Sequence, residues 1–202
     1  MSPVETKDLG NYRIKIFYDE SPESPRTSMD NLGTMVCFHG RYNLGDKHDY
    51  NHNDYNGWGE MKRAIDKNED ALIILPLFLY DHGGITISTR SFNDRWDSTM
   101  VGFTYVSKKK VREEYAVKRI TKKIEELALS VLEGEVKTYD QYLKGDIFGY
   151  KVYKVVKCDL GHEHEEEKDS CWGYYGQEYC MEDAENIVKW RIEKDKKVVE
   201  TT

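Results

Sequence analysis

No stretch of this chain is apolar for long enough to cross a bilayer, which takes about 20 residues as a helix; the longest apolar run is Ala71–Tyr80. Residues 1–10 are polar and acidic and lack the apolar centre of a secretory leader, so the expectation is a protein of the cytoplasm with no membrane partner. Cysteine is scarce: the four thiols Cys37, Cys158, Cys171 and Cys180 show no repeated CxxC, and a reducing compartment would keep them unpaired. Charge of one sign is also in short supply. With 30 Lys and Arg against 37 Asp and Glu, the net charge of −7 is too modest for a DNA mimic and does not suit a whole-surface grip on nucleic acid.

Aromatics, by contrast, are plentiful. Hydrophobic content is only 39%, yet 15 Tyr, 6 Phe and 4 Trp argue for a folded chain with an aromatic-rich surface or groove rather than for disorder. At 202 residues one core of useful size is affordable. The expected organisation is an α+β core domain over 1–157, followed by a Cys/His/aromatic segment and C-terminal helix over 158–202 packed on the same domain.

The organising stretch is Ala71–Val106. Ala71–Tyr80 reads as a buried central strand, with Pro76 forcing a bulge or a break in register because it has no N–H for the ladder. Asp81-His82-Gly83-Gly84 supplies a turn, Ile85–Thr89 alternates as a half-buried returning strand, and Met100–Val106 suits a third strand. Together they predict an antiparallel meander with helices on one side.

Elsewhere, Tyr12–Tyr18 alternates as a first strand and Thr34–Phe38 is a short apolar strand. Asp19–Asn31, with Pro22 and Pro25, reads as a loop. Trp58–Lys67 is amphipathic through Trp58, Met61, Ala64 and Ile65. Ser107 caps a helix from Lys108 to Tyr115, and Ile120, Ile124, Leu127 and Val131 continue at helical spacing until Glu133-Gly134-Glu135 interrupts it. A short helix over Val136–Leu143, a late strand over Asp146–Lys157 joining the same sheet, and a helix over Met181–Lys196 complete the reading.

Chemistry concentrates at two turns. Tyr80, Asp81 and His82 end one hairpin, and Trp96, Asp97 and Ser98 begin the next strand; His39 and Arg41 follow the Thr34–Phe38 strand. An imidazole beside a carboxylate can serve as a general base or hold a metal, and His39, His82, Asp81 and Asp97 are the candidates for a catalytic role. The same residues can instead cap a turn, with Trp96 closing the core. Asp46, His48, Asp49, His52 and Asp54 are dense enough in imidazole and carboxylate to consider a divalent metal, but the segment is rich in Asn, Asp and Gly and resists the helix that an HExxH pattern needs.

Cys158, His162, His164 and Cys171 gather soft and imidazole ligands. Cys158 and His162 resemble one zinc knuckle, whereas Cys171 and Cys180 are nine apart and make no second, so no metal is assigned. Asp169–Gly176, with Trp172, Tyr174 and Tyr175, can close the core, act as a lid or offer a stacking surface. Basic residues cluster between Lys108 and Lys123, which suits either a solvated helix face or a phosphate-bearing partner such as nucleic acid.

Leu75-Pro76-x-x-Leu79-Tyr80-Asp81-His82, Phe92, Trp96-Asp97-Ser98-x-x-Val101-Gly102, Asp30–His39 and Tyr42-Asn43-Leu44-Gly45-Asp46 together resemble a family of small uncharacterised proteins of tailed bacteriophages, prophages and some archaea, over about residues 12–150. Members often carry Ser where this chain has Gly83, and Gly-Gln where it has Thr99-Met100; the first departure argues against any mechanism needing a serine at position 83. The resemblance implies a virus-borne accessory protein of the host cytoplasm, and supplies neither an activity nor a cofactor. Three functions follow as expectations. One is capture of a host component, either a nucleotide-derived signal or a defence protein, through Tyr80, Asp81, His82, Trp96, Asp97, Ser98, His39 and Arg41. The second is a His/Asp hydrolase with or without a divalent ion. The third is a protein–protein adaptor, and homo-oligomers are compatible with all three.

Overall fold

The structure is a computed structural model and describes residues 2–92 and 98–200. Its strands form two four-stranded antiparallel sheets, β1-β2-β7-β8 and β3-β6-β4-β5, and the chain divides into two compact units. The first unit comprises residues 1–23 and 145–202, the second residues 24–144. These units fall differently from a boundary at 157/158, which would separate two hydrogen-bonded strands.

In the first unit, β1 (Glu5–Leu9) pairs with β2 (Tyr12–Tyr18), β2 with β7 (Ile147–Lys157), and β7 with β8 (Glu163–Tyr175). Alternation along β2 and β7 sends Tyr12, Ile14, Ile16, Phe148, Tyr150 and Val152 to one face. There they meet Cys180, Ala184 and Val188 of α5 (Gln177–Glu200). The late strand over 146–157 is therefore real, but it joins a different sheet from the central apolar strand. Asp169–Tyr175 is not a lid: it is the second half of β8, whose preceding acidic run is held by cations. Glu165 accepts from Arg13 (3.0 Å) and Lys15 (2.5 Å), and Glu167 accepts from Lys151 (3.0 Å). An acidic run reads from sequence as solvated loop; here cross-strand charge pairing makes it a strand.

The second unit is built on β4 (Ala71–Asp81), β5 (Ile85–Ser88), β6 (Ser98–Ser107) and β3 (Thr34–Cys37). β4 is central, with β5 on one side and β6 on the other, so the three strands do not follow in meander order. β4 runs through Pro76 and shifts register immediately after it, between Leu77 and Phe78. Pairing with β5 begins only at Phe78, so on that side no ladder bond is asked of position 76.

Helices cover both faces of this sheet. Met35 and Cys37 of β3, Leu77 and Leu79 of β4 and Val101 of β6 pack with Val136 and Tyr139 of α4 (Lys122–Lys144). Val36, between them in β3, faces the other way with Phe103 and Tyr105 onto Met61 and Ile65 of α2 (Trp58–Glu69). A helix on one side only describes the first unit. α1 (Pro25–Ser28) adds one turn within the expected loop, and α3 (Lys108–Glu114) is capped by the Ser107 hydroxyl, which accepts from Lys110 N–H (3.2 Å).

α4 passes through Glu133-Gly134-Glu135 without interruption. Ala128, Leu132, Val136 and Tyr139 are all buried along one stripe, and that burial outweighs the roughly 1 kcal/mol that a glycine costs a helix interior. No helix among the described residues is long and apolar enough to cross a membrane.

A ring-lined cleft at one end of the second sheet

The segment from Phe38 to Trp58 leaves β3, loops over the end of the sheet and enters α2. Its anchor is a buried ion network. The Arg26 side chain is 2% exposed, and its guanidinium grips Asp46 with two bonds (2.9 and 2.6 Å), Asn31 (2.7 Å) and the Gly33 carbonyl (2.8 Å), with Glu135 of α4 at 3.4 Å. Burial works against the Arg26 charge, but the Asp46 and Glu135 carboxylates outweigh it and hold the group above its ordinary pKa. Glu135 also accepts from the N–H groups of Leu32 (2.5 Å) and Gly33 (3.0 Å), and Asp46 accepts from Met35 N–H (2.8 Å).

Gly45 sits at φ +72°, where a Cβ would come within 2.6 Å of the Met35 carbonyl, and its N–H donates to the Tyr139 hydroxyl (3.0 Å). The start of the loop is thus tied to β3 and α4. The His39 ring then accepts from two backbone donors, Arg41 N–H (3.2 Å) and Tyr42 N–H (3.3 Å), both on Nδ1. Nδ1 is therefore an acceptor, and in the neutral ring Nε2 carries the hydrogen.

Above this loop lies an open cleft of about 470 Å³, lined by Phe38, His39, Tyr42, Leu44, His52 and Trp58 among others. Its walls are rings. His39 stacks on Tyr42 (4.9 Å between centroids, 18° between planes), and His52 meets Trp58 edge-on (4.8 Å, 74°). Phe38 lies against His48 (4.9 Å) and His52 (5.6 Å), and Trp58 abuts Phe103 of the core (5.9 Å). At the rim, the Arg41 guanidinium lies 5.5 Å from the Tyr42 ring and is ion-paired with Asp81. Cys37 also lines the cleft, but burial pushes its thiol up to about 12, so it is protonated at neutral pH and no nucleophile.

The Arg41–Asp81 ion pair joins the loop after β3 to the end of β4, although these two strands are not neighbours. β6 lies between β3 and β4, so His39 and His82 end strands that are two apart. Tyr80 pairs across the ladder with Ser98, and its ring lies near His82 (6.3 Å) and Phe92 (5.7 Å). Trp96 and Asp97 lie outside the described residues. Asp81 is engaged by Arg41, and Nδ1 of His39 accepts from the backbone of its own loop.

No group of three or more His, Cys, Asp or Glu side chains among the described residues is arranged to hold a metal ion. His48 bonds through Nε2 to the Cys37 carbonyl (3.2 Å), and His52 is packed against Phe38 and Trp58. Cys158 and His162 share a tight turn, in which Cys158 N–H donates to the His162 carbonyl (3.0 Å), and His164 pairs with Val156. Cys171 pairs with Tyr150, seven residues further along β8 than His164; at about 3.4 Å per residue the strand holds those two roughly 24 Å apart.

The basic stretch is divided as well. Lys108 pairs with Asp70 (2.6 Å) and Lys110 donates to the Asn31 carbonyl (2.6 Å), while Lys109 and Lys122 make i,i+4 pairs with Glu113 and Glu126. Of the lining, His39 was an expected site residue, whereas Phe38, Tyr42, Leu44, His52 and Trp58 were not expected as ligand contacts. Phe38, His39, Tyr42, His48, Tyr50, His52, Tyr55 and Trp58 place a ring every few residues through one connection. That density was the available signal. Arg26 gave none, because nothing local marks an arginine for burial. Compared with family models, curated proteins and solved structures, the chain matches none.

Proposed function

We propose that the chain is a phage-type accessory protein that works by capture, taking a small planar ligand of the host cytoplasm into the ring-lined cleft. The observation that carries the reading is the cleft itself. A connection tied down by Arg26, Asp46, Gly45 and Tyr139 presents Tyr42, His52 and Trp58 around an open volume of ligand size. Rings of this kind favour a flat, conjugated partner such as a nucleobase, because stacking is worth about 1–3 kcal/mol per base and tolerates many base identities.

Capture is favoured over hydrolysis by the chemistry of the same residues. The buried Cys37 thiol is protonated, His39 spends Nδ1 on its own loop, and Asp81 is paired with a cation. A preassembled nucleophile–base pair needs the opposite arrangement.

Titration of the whole chain with ribonucleosides and nucleotides, followed by tryptophan fluorescence, tests the proposal. Binding that quenches the wild type and is lost or changed in Trp58→Phe supports it. Saturable binding with no difference between wild type and Trp58→Phe, or no binding together with no small molecule released on denaturation, refutes it.

A further inference from the structure

We propose that the captured ligand is a nucleotide, and that its phosphate takes Arg41 away from Asp81, so that Asp81 is a resident competitor that sets the preference for phosphorylated over unphosphorylated ligands. This rests on the cleft reading above and adds the anionic half of the ligand. Among the described residues that line the cleft there is no Lys, Arg, Asp or Glu. A cation stands at its rim: Arg41 lies between the lining residues Gly40 and Tyr42, with its guanidinium 5.5 Å from the Tyr42 ring.

The two arginines of this region differ in what holds them. Arg26 is buried and fixed by Asp46, Asn31, Gly33 and Glu135, so it is unavailable to a ligand. The Arg41 side chain is 69% exposed, and among the described residues its guanidinium is ion-paired with Asp81, itself 23% exposed. An ion pair open to solvent in this way is weak, so a phosphate bearing close to two charges can displace the carboxylate. A guanidinium also presents parallel donors that match phosphate geometry, which a lysine would not. Asp81 closes β4 opposite Ile85, and the hairpin turn beyond it is tied by His82 N–H donating to the Gly84 carbonyl (3.2 Å). The competitor is therefore held at a fixed place while the arginine swings.

Calorimetric titration of the whole chain with the four ribonucleosides and their 5′-monophosphates reads the preference as a ratio of affinities. In the wild type the ratio favours the monophosphates. Asp81→Asn raises it by about two- to fivefold, the worth of the exposed pair that no longer competes. Arg41→Ala brings it close to one, and Arg41→Lys keeps part of it. If nucleosides bind and the ratio is the same in all four proteins, or if Asp81→Asn lowers it, the exchange is wrong while the cleft remains a site for planar ligands. If neither nucleosides nor monophosphates bind, both this inference and the reading beneath it fall. Melting temperatures of the variants separate loss of recognition from loss of fold.

Discussion

Replacing Arg26 by methionine should unfold the cleft from beneath. Methionine keeps the apolar stem and removes the guanidinium, which in the wild type is 2% exposed and bonded to Asp46, Asn31 and the Gly33 carbonyl. Breaking a buried ion pair by deleting one partner costs about 3–5 kcal/mol, since the remaining charge has no counter-ion. Two features put this case at the lower end. Asp46 and Glu135 stay 20% and 12% exposed, and each keeps backbone donors, Met35 N–H for the one and Leu32 and Gly33 N–H for the other. The expected loss is about 3 kcal/mol.

Urea denaturation with hydrogen exchange read by peptide localises the effect. Peptides covering 33–46 and 98–107 should lose protection, and those of α5 should not. The paired variant Arg26→Met/Asp46→Asn should cost less than the sum of the single changes, because the second removes the stranded charge. The exposed Lys109–Glu113 pair is the internal control, and Lys109→Ala should change stability by no more than about 0.5 kcal/mol. A loss below about 1 kcal/mol for Arg26→Met would place the buried network in the same class as that surface pair and refute the reasoning.

Gly134→Ala should stabilise the second unit by about 0.5–1 kcal/mol, since the residue lies inside α4 with open space around its Cα; a decrease in urea midpoint would mean the helix bends there after all. Gly102→Ala should cost at least about 2 kcal/mol, because its Cβ would come within 1.9 Å of the Val36 carbonyl across the β3–β6 ladder, and a neutral result in thermal melts would contradict that close approach. Exposed Cys171 should react with a thiol reagent in the native protein at pH 8, whereas Cys37 and Cys180, whose thiols burial raises to about 12, should react only on unfolding; mass mapping of the labelled sites decides this.

The first unit should weaken in acid. Arg13 holds the Asp8 carboxyl below its ordinary pKa, and Lys15, Lys7 and Lys154 do the same for Glu165, Glu185 and Asp195. The unfolded chain binds these protons more readily than the folded one. The stabilisation is therefore complete above the ordinary carboxylate pKa of about 4 and is lost as pH falls through the lower folded values. Added salt should blunt the effect, and a urea midpoint for α5 and β7 peptides that stays flat from neutral pH to pH 3 would count against it.

How much of this was legible in the chain depends on the range over which each cause acts. β2, α2 and the Ser107 cap are local: alternation, an apolar stripe and one hydroxyl before a helix suffice, and the expected boundaries agree within a residue or two. The class, α+β with antiparallel pairing and a C-terminal helix, follows from the same periodicities. Where partners lie far apart, local reading failed. The acidic run of β8 carries no local strand signal, because Arg13 and Lys15, which hold Glu165, are some 150 residues away. α4 looked broken because the burial of Leu132, Val136 and Tyr139 is decided by the sheet beneath them.

The candidate site divides in the same way. The residues between Phe38 and Trp58 and the Tyr80-Asp81-His82 turn announce themselves by composition, and Arg41 with Asp81 shows that the two loops meet. Which groups would be spent and which free could not be read. His39 gives Nδ1 to its own backbone, Asp81 has a guanidinium, and Cys37 is buried. By itself the chain determined its elements and its supply of rings, because propensity and patterning act over a few residues. Only the tertiary structure decided that there are two sheets, that β6 separates the strands ending at His39 and His82, and that a buried Arg26 anchors the loop through Asp46, because pairing and desolvation depend on what lies across space.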